Sequence, residues 1–239
     1  MQTVALTSPL LSKAGFVHGF STRSATVDPP GGITQAADRH LAAFCHAIGR
    51  DTAGALRVKQ VHGARVLREP RDDMSEEADA IVLPSTFHGV TPIIRTADCV
   101  PVLLADPESG TVGAVHAGWR GVAQNILRAA ADAFGPRPST LLAAVGPCLC
   151  VDCFEVGEEV VRDVVAACDA HVVDRSGGGR PRIDLRRAVR FQLLAIGLQP
   201  VHIDDVPGCT RCEADRFFSY RRDGADAGRQ FAAIAPRAT

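Results

Sequence analysis

The sequence has no excess of charge of either sign. Its 26 Lys and Arg nearly balance its 27 Asp and Glu, giving a formal net charge of −1 at pH 7. That balance leaves no electrostatic footprint for nucleic acid or an anionic membrane surface. Long apolar runs are also missing, and the longest falls far short of a bilayer span. The opening MQTVALTSPLLSKAG lacks the basic start and sustained apolar core of a secretory signal. A cytoplasmic location is therefore expected. No internal repeat and no linker-like stretch interrupts the chain, so residues 1–239 are expected to form one domain.

What is present is an ordinary core composition, 46% apolar and 22% charged, enough for a globular enzyme. Eight cysteines are many for such a chain. Without a secretion signal they read as thiols or metal ligands, not disulfides.

Apolar patterning then sets the order of elements. GFVHGFSTR reads as a strand, followed by a break at Pro29-Pro30-Gly31-Gly32. Thr34 to Ile48 has helical spacing and stops at Gly49. LRVKQVHGARVLRE reads as a strand pair around His62-Gly63. ADAIVL, two segments flanking Cys99, and TVGAVHAGWRG add further strands. VAQNILRAAADAF reads as one helix closed by Gly135-Pro136. The strand LLAAVGPCL, the helices GEEVVRDVVAACD and DLRRAVRFQLLAIGL, and the strands PVHIDDV and RQFAAIA complete the chain. Strands cluster centrally without strict βαβ alternation. That predicts an α/β fold with a mixed β-sheet sandwich surrounded by helices, not a doubly wound sheet.

Three reactive side chains fall at strand–turn junctions: His62 in KQVHGARV, Cys99 in TADC, and His116 in VGAVHAGWRG. Taken singly, each is equally a buried thiol or a hydrogen-bonded core histidine. Taken together they suggest a site, because strand ends present functional groups and Gly63 and Gly118 allow close backbone approach. Two His and one Cys suit a zinc site with an open fourth position. Asp98, next to Cys99, is a candidate to orient a ligand histidine or act as a base, or it simply caps the turn. Arg23, Arg120, Arg221 and Arg222 are candidate phosphate clamps, with Arg229 close by, unless they only make surface ion pairs.

Two more cysteine groups stand apart: Cys148, Cys150 and Cys153 in CLCVDC, and Cys209 and Cys212 in CTRC. Together they could form a separate thiolate metal site, but the CTRC pair has no second CxxC at structural-zinc spacing, so the favoured reading is partly buried thiols.

KQVHG, TADCVPVLLAD, VGAVHAGWRG, VGPC, FEVG and FSYRR followed by GR resemble, in that order, a bacterial family. Its members were first labelled laccase-like or multicopper polyphenol oxidases and later assigned as zinc-containing purine nucleoside phosphorylases. The resemblance runs from about Gly19 to Gln230. It implies a mixed α/β sandwich, comparable to cysteine hydrolases, with zinc on His62, Cys99 and His116. It also implies phosphorolysis of adenosine and inosine, cleavage of methylthioadenosine, and some adenosine deamination; nucleoside and phosphate are the implied partners. A relative implicated in peptidoglycan editing adds an amidase-like alternative on cell-wall precursors, with Cys99 as nucleophile and His116 as base. The chain departs from the family after GFSTR, where Ser24-Ala25 replace a Gly-Gly pair, an Asn-containing stretch is missing, and PPGG fills a shortened loop.

A copper oxidase fits the residues poorly. No two of the eight histidines are separated by a single residue, and Met74 is the only internal methionine available as an axial ligand.

Overall fold

A computed structural model of the protein describes residues 4–25, 33–69, 76–136 and 138–237. Pro29-Pro30-Gly31-Gly32 and Met74 lie outside the described residues. In chain order the elements are β1 (Ala5–Leu6), α1 (Pro9–Lys13), β2 (His18–Ser21), α2 (Ile33–Ala47), β3 (Ala55–Leu56), β4 (Val66–Leu67), β5 (Ala80–Leu83), β6 (Thr91–Thr96), β7 (Val100–Ala105), β8 (Val112–Ala117), α3 (Trp119–Ala123), α4 (Ile126–Asp132), β9 (Leu142–Val145), α5 (Glu158–Ala166), β10 (Val173–Asp174), β11 (Arg182–Ile183), α6 (Leu185–Ile196), β12 (Ile203–Asp205), α7 (Tyr220–Asp223) and β13 (Gln230–Ile234).

Two mixed sheets carry the architecture. One has five strands in the order β1-β2-β13-β6-β3, the other six in the order β12-β9-β7-β8-β5-β4, and β10-β11 form a separate hairpin. Alternation along the strands sorts side chains between layers. On β7, Leu103 and Ala105 face the five-stranded sheet and share a core with Phe20, Ile94 and Ala232. Val100, Val102 and Leu104 of the same strand pack with Ile126, Val161 and Val189 of the helices. On β13, Ala232 and Ile234 point between the sheets while Phe231 and Ala233 pack against Leu41 and Phe44 of α2. The order of layers is therefore helix, sheet, sheet, helix, and the expected mixed sandwich is present.

Two local expectations need correction. The segment around His62 is not a strand pair: β3 joins β6 in one sheet and β4 joins β5 in the other, so the intervening loop crosses the sandwich. The helix expected from Val122 is broken, because Asn125 adopts a left-handed conformation (φ 59, ψ 42) between α3 and α4. The buried Gln192 amide bridges this break, donating to Val122 O at 2.8 Å and Asn125 Oδ1 at 3.3 Å. A propensity pattern sees apolar spacing but not such a tertiary partner.

Candidate active site

His62, Cys99 and His116 converge, their ligand atoms all within 4.8 Å of one another. The topology accounts for this. The turn carrying Cys99 connects β6 to β7 and so also crosses from one sheet to the other, while His116 is the penultimate residue of β8 in the six-stranded sheet. Both crossings open on the same end of the sandwich. The Gln60 side chain pairs with the Arg95 backbone through two 2.8 Å hydrogen bonds, docking the His62 loop onto β6.

Asp79 fixes the histidines. This residue, fully buried just before β5, accepts the amides of His62 (2.9 Å), Gly63 (2.7 Å) and Val61 (3.2 Å). It also accepts from His116 Nδ1 at 2.8 Å. Burial alone pushes the Asp79 carboxyl up; the His116 imidazole and the loop amides outweigh it and leave it below the usual carboxylate value. An ionised Asp79 requires the proton on His116 Nδ1 and so leaves Nε2 free for a ligand bond. The same three amides hold His62 at φ 62, a left-handed conformation that is costly for a side chain with a Cβ.

Cys99 sits between the imidazoles. Burial pushes its thiol up, but His116 and His62 outweigh this and bring it down to about 6. Reciprocally, burial lowers His116 while the Cys99 sulfur and Asp79 raise it to about 9. Thiolate and imidazolium stabilise each other here; a divalent cation bound there would displace the His116 Nε2 proton and balance the thiolate charge. Gly118 closes the back of the group: a Cβ there would lie 3.1 Å from both Cys99 Sγ and His62 Cδ2. Close approach, as expected from sequence, is what this glycine provides.

The three side chains open into a cavity of about 470 Å³, which Phe154, Tyr220, Arg95, Arg221 and Arg229 also line. Partial burial, then the like charges of Arg57 and Arg229, hold the Arg95 guanidinium below its ordinary value. Arg221 lies over the Phe154 ring, 5.6 Å from its centre, and donates to Glu155 O at 3.2 Å. Such a cavity presents metal-type donors and a cationic wall to one ligand.

Asp98 and Arg221 also line the cavity, whereas the remaining sequence candidates, Arg222, Arg120 and Arg23, do not. The Asp98 carboxylate accepts from Thr210 Oγ1 (2.7 Å) and the Arg221 amide (2.6 Å), with its backbone at φ 100. It holds a turn, and the partner of His116 is Asp79. Arg222 donates to the carbonyls of Thr210 and Phe217 at 3.0 Å each. Arg120 lies over the Trp119 ring, 4.4 Å from its centre, and Arg23 donates to Ala214 O at 3.1 Å. None of these three arginines lines the cavity. Asp79 and Arg95 were missed. A lone acid before an apolar strand and one arginine inside a strand carry no spacing signal. Cys150, Cys153, Cys209 and Cys212 also come together, as the less favoured reading of them, a separate thiolate group, requires.

Fold and site define a mixed αββα sandwich with a His-Cys-His group at the seam of its sheets. Residues 20–237 match the family described as multi-copper polyphenol oxidoreductase laccase. The chain belongs to that family. It is 40% identical over 202 residues to a purine nucleoside phosphorylase of Streptomyces coelicolor, covering 82% of this chain and 79% of that one. It is 37% identical over 204 residues to an adenosine deaminase of an unknown prokaryotic organism, covering 78% and 77%. Among solved structures it is similar to YlmD from Geobacillus stearothermophilus, with a TM-score of 0.85 and 26% identity over 99% of this chain and all of that one. A Neisseria meningitidis protein gives a TM-score of 0.82 and 30% identity, covering 98% and 99%.

Proposed function

We propose that this protein is a cytoplasmic, zinc-dependent purine nucleoside phosphorylase that also deaminates adenosine. The observation that carries this reading is one cavity holding both the His62, Cys99, His116 group and three guanidinium groups. Relatives named purine nucleoside phosphorylase and adenosine deaminase support the substrate class. No helix among the described residues is long and apolar enough to cross a membrane.

The donor set suits zinc: two imidazoles and one thiolate, a buried carboxylate behind His116, and cavity on the remaining side. Zinc bound there would supply Lewis acidity at the cavity floor. Arg221, Arg229 and Arg95 hold phosphate by charge-assisted hydrogen bonds. A phosphate oxygen attacks the anomeric carbon, the bond to the purine nitrogen breaks, and the base departs with the proton that phosphate gives up. Positioning accounts for much of such a rate, since a bimolecular attack becomes effectively unimolecular. In deamination, water adds at the purine C6 and ammonia leaves, giving inosine.

The donor set offers no support for a coupled copper oxidase. Of the eight histidines, all within the described residues, only His62 and His116 belong to a group of three or more candidate ligands.

The deciding experiment incubates purified protein with adenosine, with and without phosphate, and identifies products by mass. Adenine and ribose 1-phosphate should form only with phosphate, and inosine in either buffer. Free ribose formed equally well without phosphate would make the enzyme a hydrolase and overturn the reading.

One observation favours a second reading. Cys99, His116 and Asp79 line up as nucleophile, base and orienting carboxylate. Acting on cell-wall precursors, Cys99 would attack an amide carbonyl. The C–N bond would break as the amine leaves with a proton from His116, and water would then hydrolyse the thioester. This requires the sulfur free of metal. Retention of activity after complete zinc removal would support this reading against the first.

A further inference from the structure

Away from the cavity floor, four cysteines meet. Strands β9 and β12 are parallel neighbours, with Val145 paired to Asp205, and a further parallel bridge joins Cys148 to Cys209. The chain therefore leaves both strands at the same end of the sheet and side by side. Each exit carries one C-x-x-C turn, Cys150-Val151-Asp152-Cys153 and Cys209-Thr210-Arg211-Cys212. Fifty-five residues separate the two turns in sequence, from 154 to 208. Parallel pairing removes that separation.

The sulfur geometry is that of a cage. Cys153 Sγ lies 3.4 Å from Cys212 Sγ and 3.9 Å from Cys209 Sγ, and Cys150 Sγ lies 4.0 Å from Cys212 Sγ. All four ligand atoms lie within 4.8 Å of one another. A tetrahedral ion with metal–sulfur bonds of about 2.3 Å sets its sulfurs about 3.8 Å apart. The Cys150 amide donates to Cys209 Sγ at 3.3 Å, a bond that favours a thiolate acceptor. Cys153 is buried, Cys150 and Cys209 are half-buried, and Cys212 is exposed, which leaves an entry path. All eight cysteines are unpaired thiols.

We propose that Cys150, Cys153, Cys209 and Cys212 form a second, closed metal site that takes one zinc ion and holds the cavity wall together. Four sulfurs in tetrahedral array select a thiophilic metal and leave no position for substrate. The ion joins two segments that both reach the cavity. Leu149 and Phe154, which flank the first turn, line it, and Arg221 rests on Phe154. Thr210, in the second turn, donates to Asp98 beside Cys99. Without the ion, the two turns are joined mainly by backbone bonds between Cys148 and Thr210 (3.1 Å) and between Cys148 and Gly208 (3.3 Å). The site is independent of which reaction the cavity performs.

The test is zinc content per chain by elemental analysis of protein purified with zinc. Wild type should hold two ions, Cys153→Ser one, and His62→Ala one. X-ray absorption at the zinc edge of His62→Ala should show four sulfur ligands at about 2.3 Å. Equal zinc content in wild type and Cys153→Ser would overturn the proposal. So would nitrogen or oxygen ligands in His62→Ala, or disulfides in place of these four thiols on titration of the unreduced, chelator-treated protein. If Cys153→Ser does not fold, His62→Ala decides alone: one all-sulfur zinc sustains the proposal and no zinc ends it.

Discussion

The molecule gathers candidate ligands in two places, and the two are built differently. At the sheet seam, two imidazoles and one thiol face a cavity, with a buried carboxylate behind them. Beyond the ends of β9 and β12, four thiols converge on one another, with Cys212 exposed. A metal held by the first group would keep a coordination position for chemistry; one held by the second would have every position filled and would serve structure. The seam group depends on long-range supports such as Asp79 and Gly118, whereas the thiol group rests on two local turns. Similar side chains thus divide into reactive and structural roles through what surrounds them.

The largest effect should separate these roles. Cys99→Ala or His116→Ala should lower nucleoside cleavage by about 10³-fold or more, as expected when a transition-state stabiliser worth about 4 kcal/mol is lost. The all-sulfur zinc should remain in both variants. Loss of both ions together would merge the two sites into one cooperative unit.

Arg221→Ala and Arg229→Ala should cost about 2–4 kcal/mol, or roughly 30- to 1,000-fold in kcat/KM, with the apparent phosphate affinity weakened. Deamination measured in parallel should fall much less. An equal loss of both reactions would assign these arginines to cavity shape and not to phosphate.

Acid offers a third comparison, because metal release by protonation must be told apart from unfolding. His40 is buried; burial outweighs its bond to Thr22 O and brings it down to about 4. His18 is lowered too, chiefly by burial, and its Nε2 accepts the Ser8 amide at 2.8 Å. Both are neutral in the fold, so the unfolded chain binds more protons below its own pKa near 6.5. Their stabilising effect is complete above that pH and is lost as pH falls towards 4. For His40 the loss approaches about 3 kcal/mol. Urea unfolding from pH 7.5 to 4.5 should show this decline, and His40→Gln should flatten it. An unchanged slope would move the acid sensitivity to another group.

Asp79→Asn should weaken zinc at the seam by about 10- to 100-fold, read by chelator competition, and leave the all-sulfur ion in place. Unchanged zinc affinity would reduce Asp79 to a loop support. The smallest effects belong to Arg23→Ala and Arg120→Ala, which should stay within about twofold of wild-type rates, as surface substitutions do.

What the sequence conveyed follows the range of each interaction. His62, Cys99 and His116 stood out because each falls at a strand–turn junction, with Gly63 beside His62 and Gly118 two residues after His116, a local pattern. The layer order was accessible for the same reason, since alternation along β7 and β13 is written in consecutive residues. Asp79 was not accessible: its value lies in meeting His116, 37 positions away in sequence, and in gathering three amides of a loop. Arg120 lies in the motif-rich GWRG segment yet stacks on its neighbour, while Arg95 faces the cavity from within a strand. A joint site for the two cysteine turns could be raised from sequence, but their distance along the chain argued against it. Zinc-finger spacing assumes that the turns are close in sequence, and parallel strands bring together turns that are not.

The crossings that carry His62 and Cys99 have one more consequence. Each runs from one sheet to the other, so the seam group exists only when both sheets are assembled and in register. A molecule gripping that group therefore acts as a rivet through the whole sandwich. Occupancy should be legible as melting temperature, since a ligand at 100 times its Kd adds about 2.7 kcal/mol to a fold that alone can bind it. Candidate nucleosides, bases and anions are then rankable by thermal shift, before any of them is shown to react.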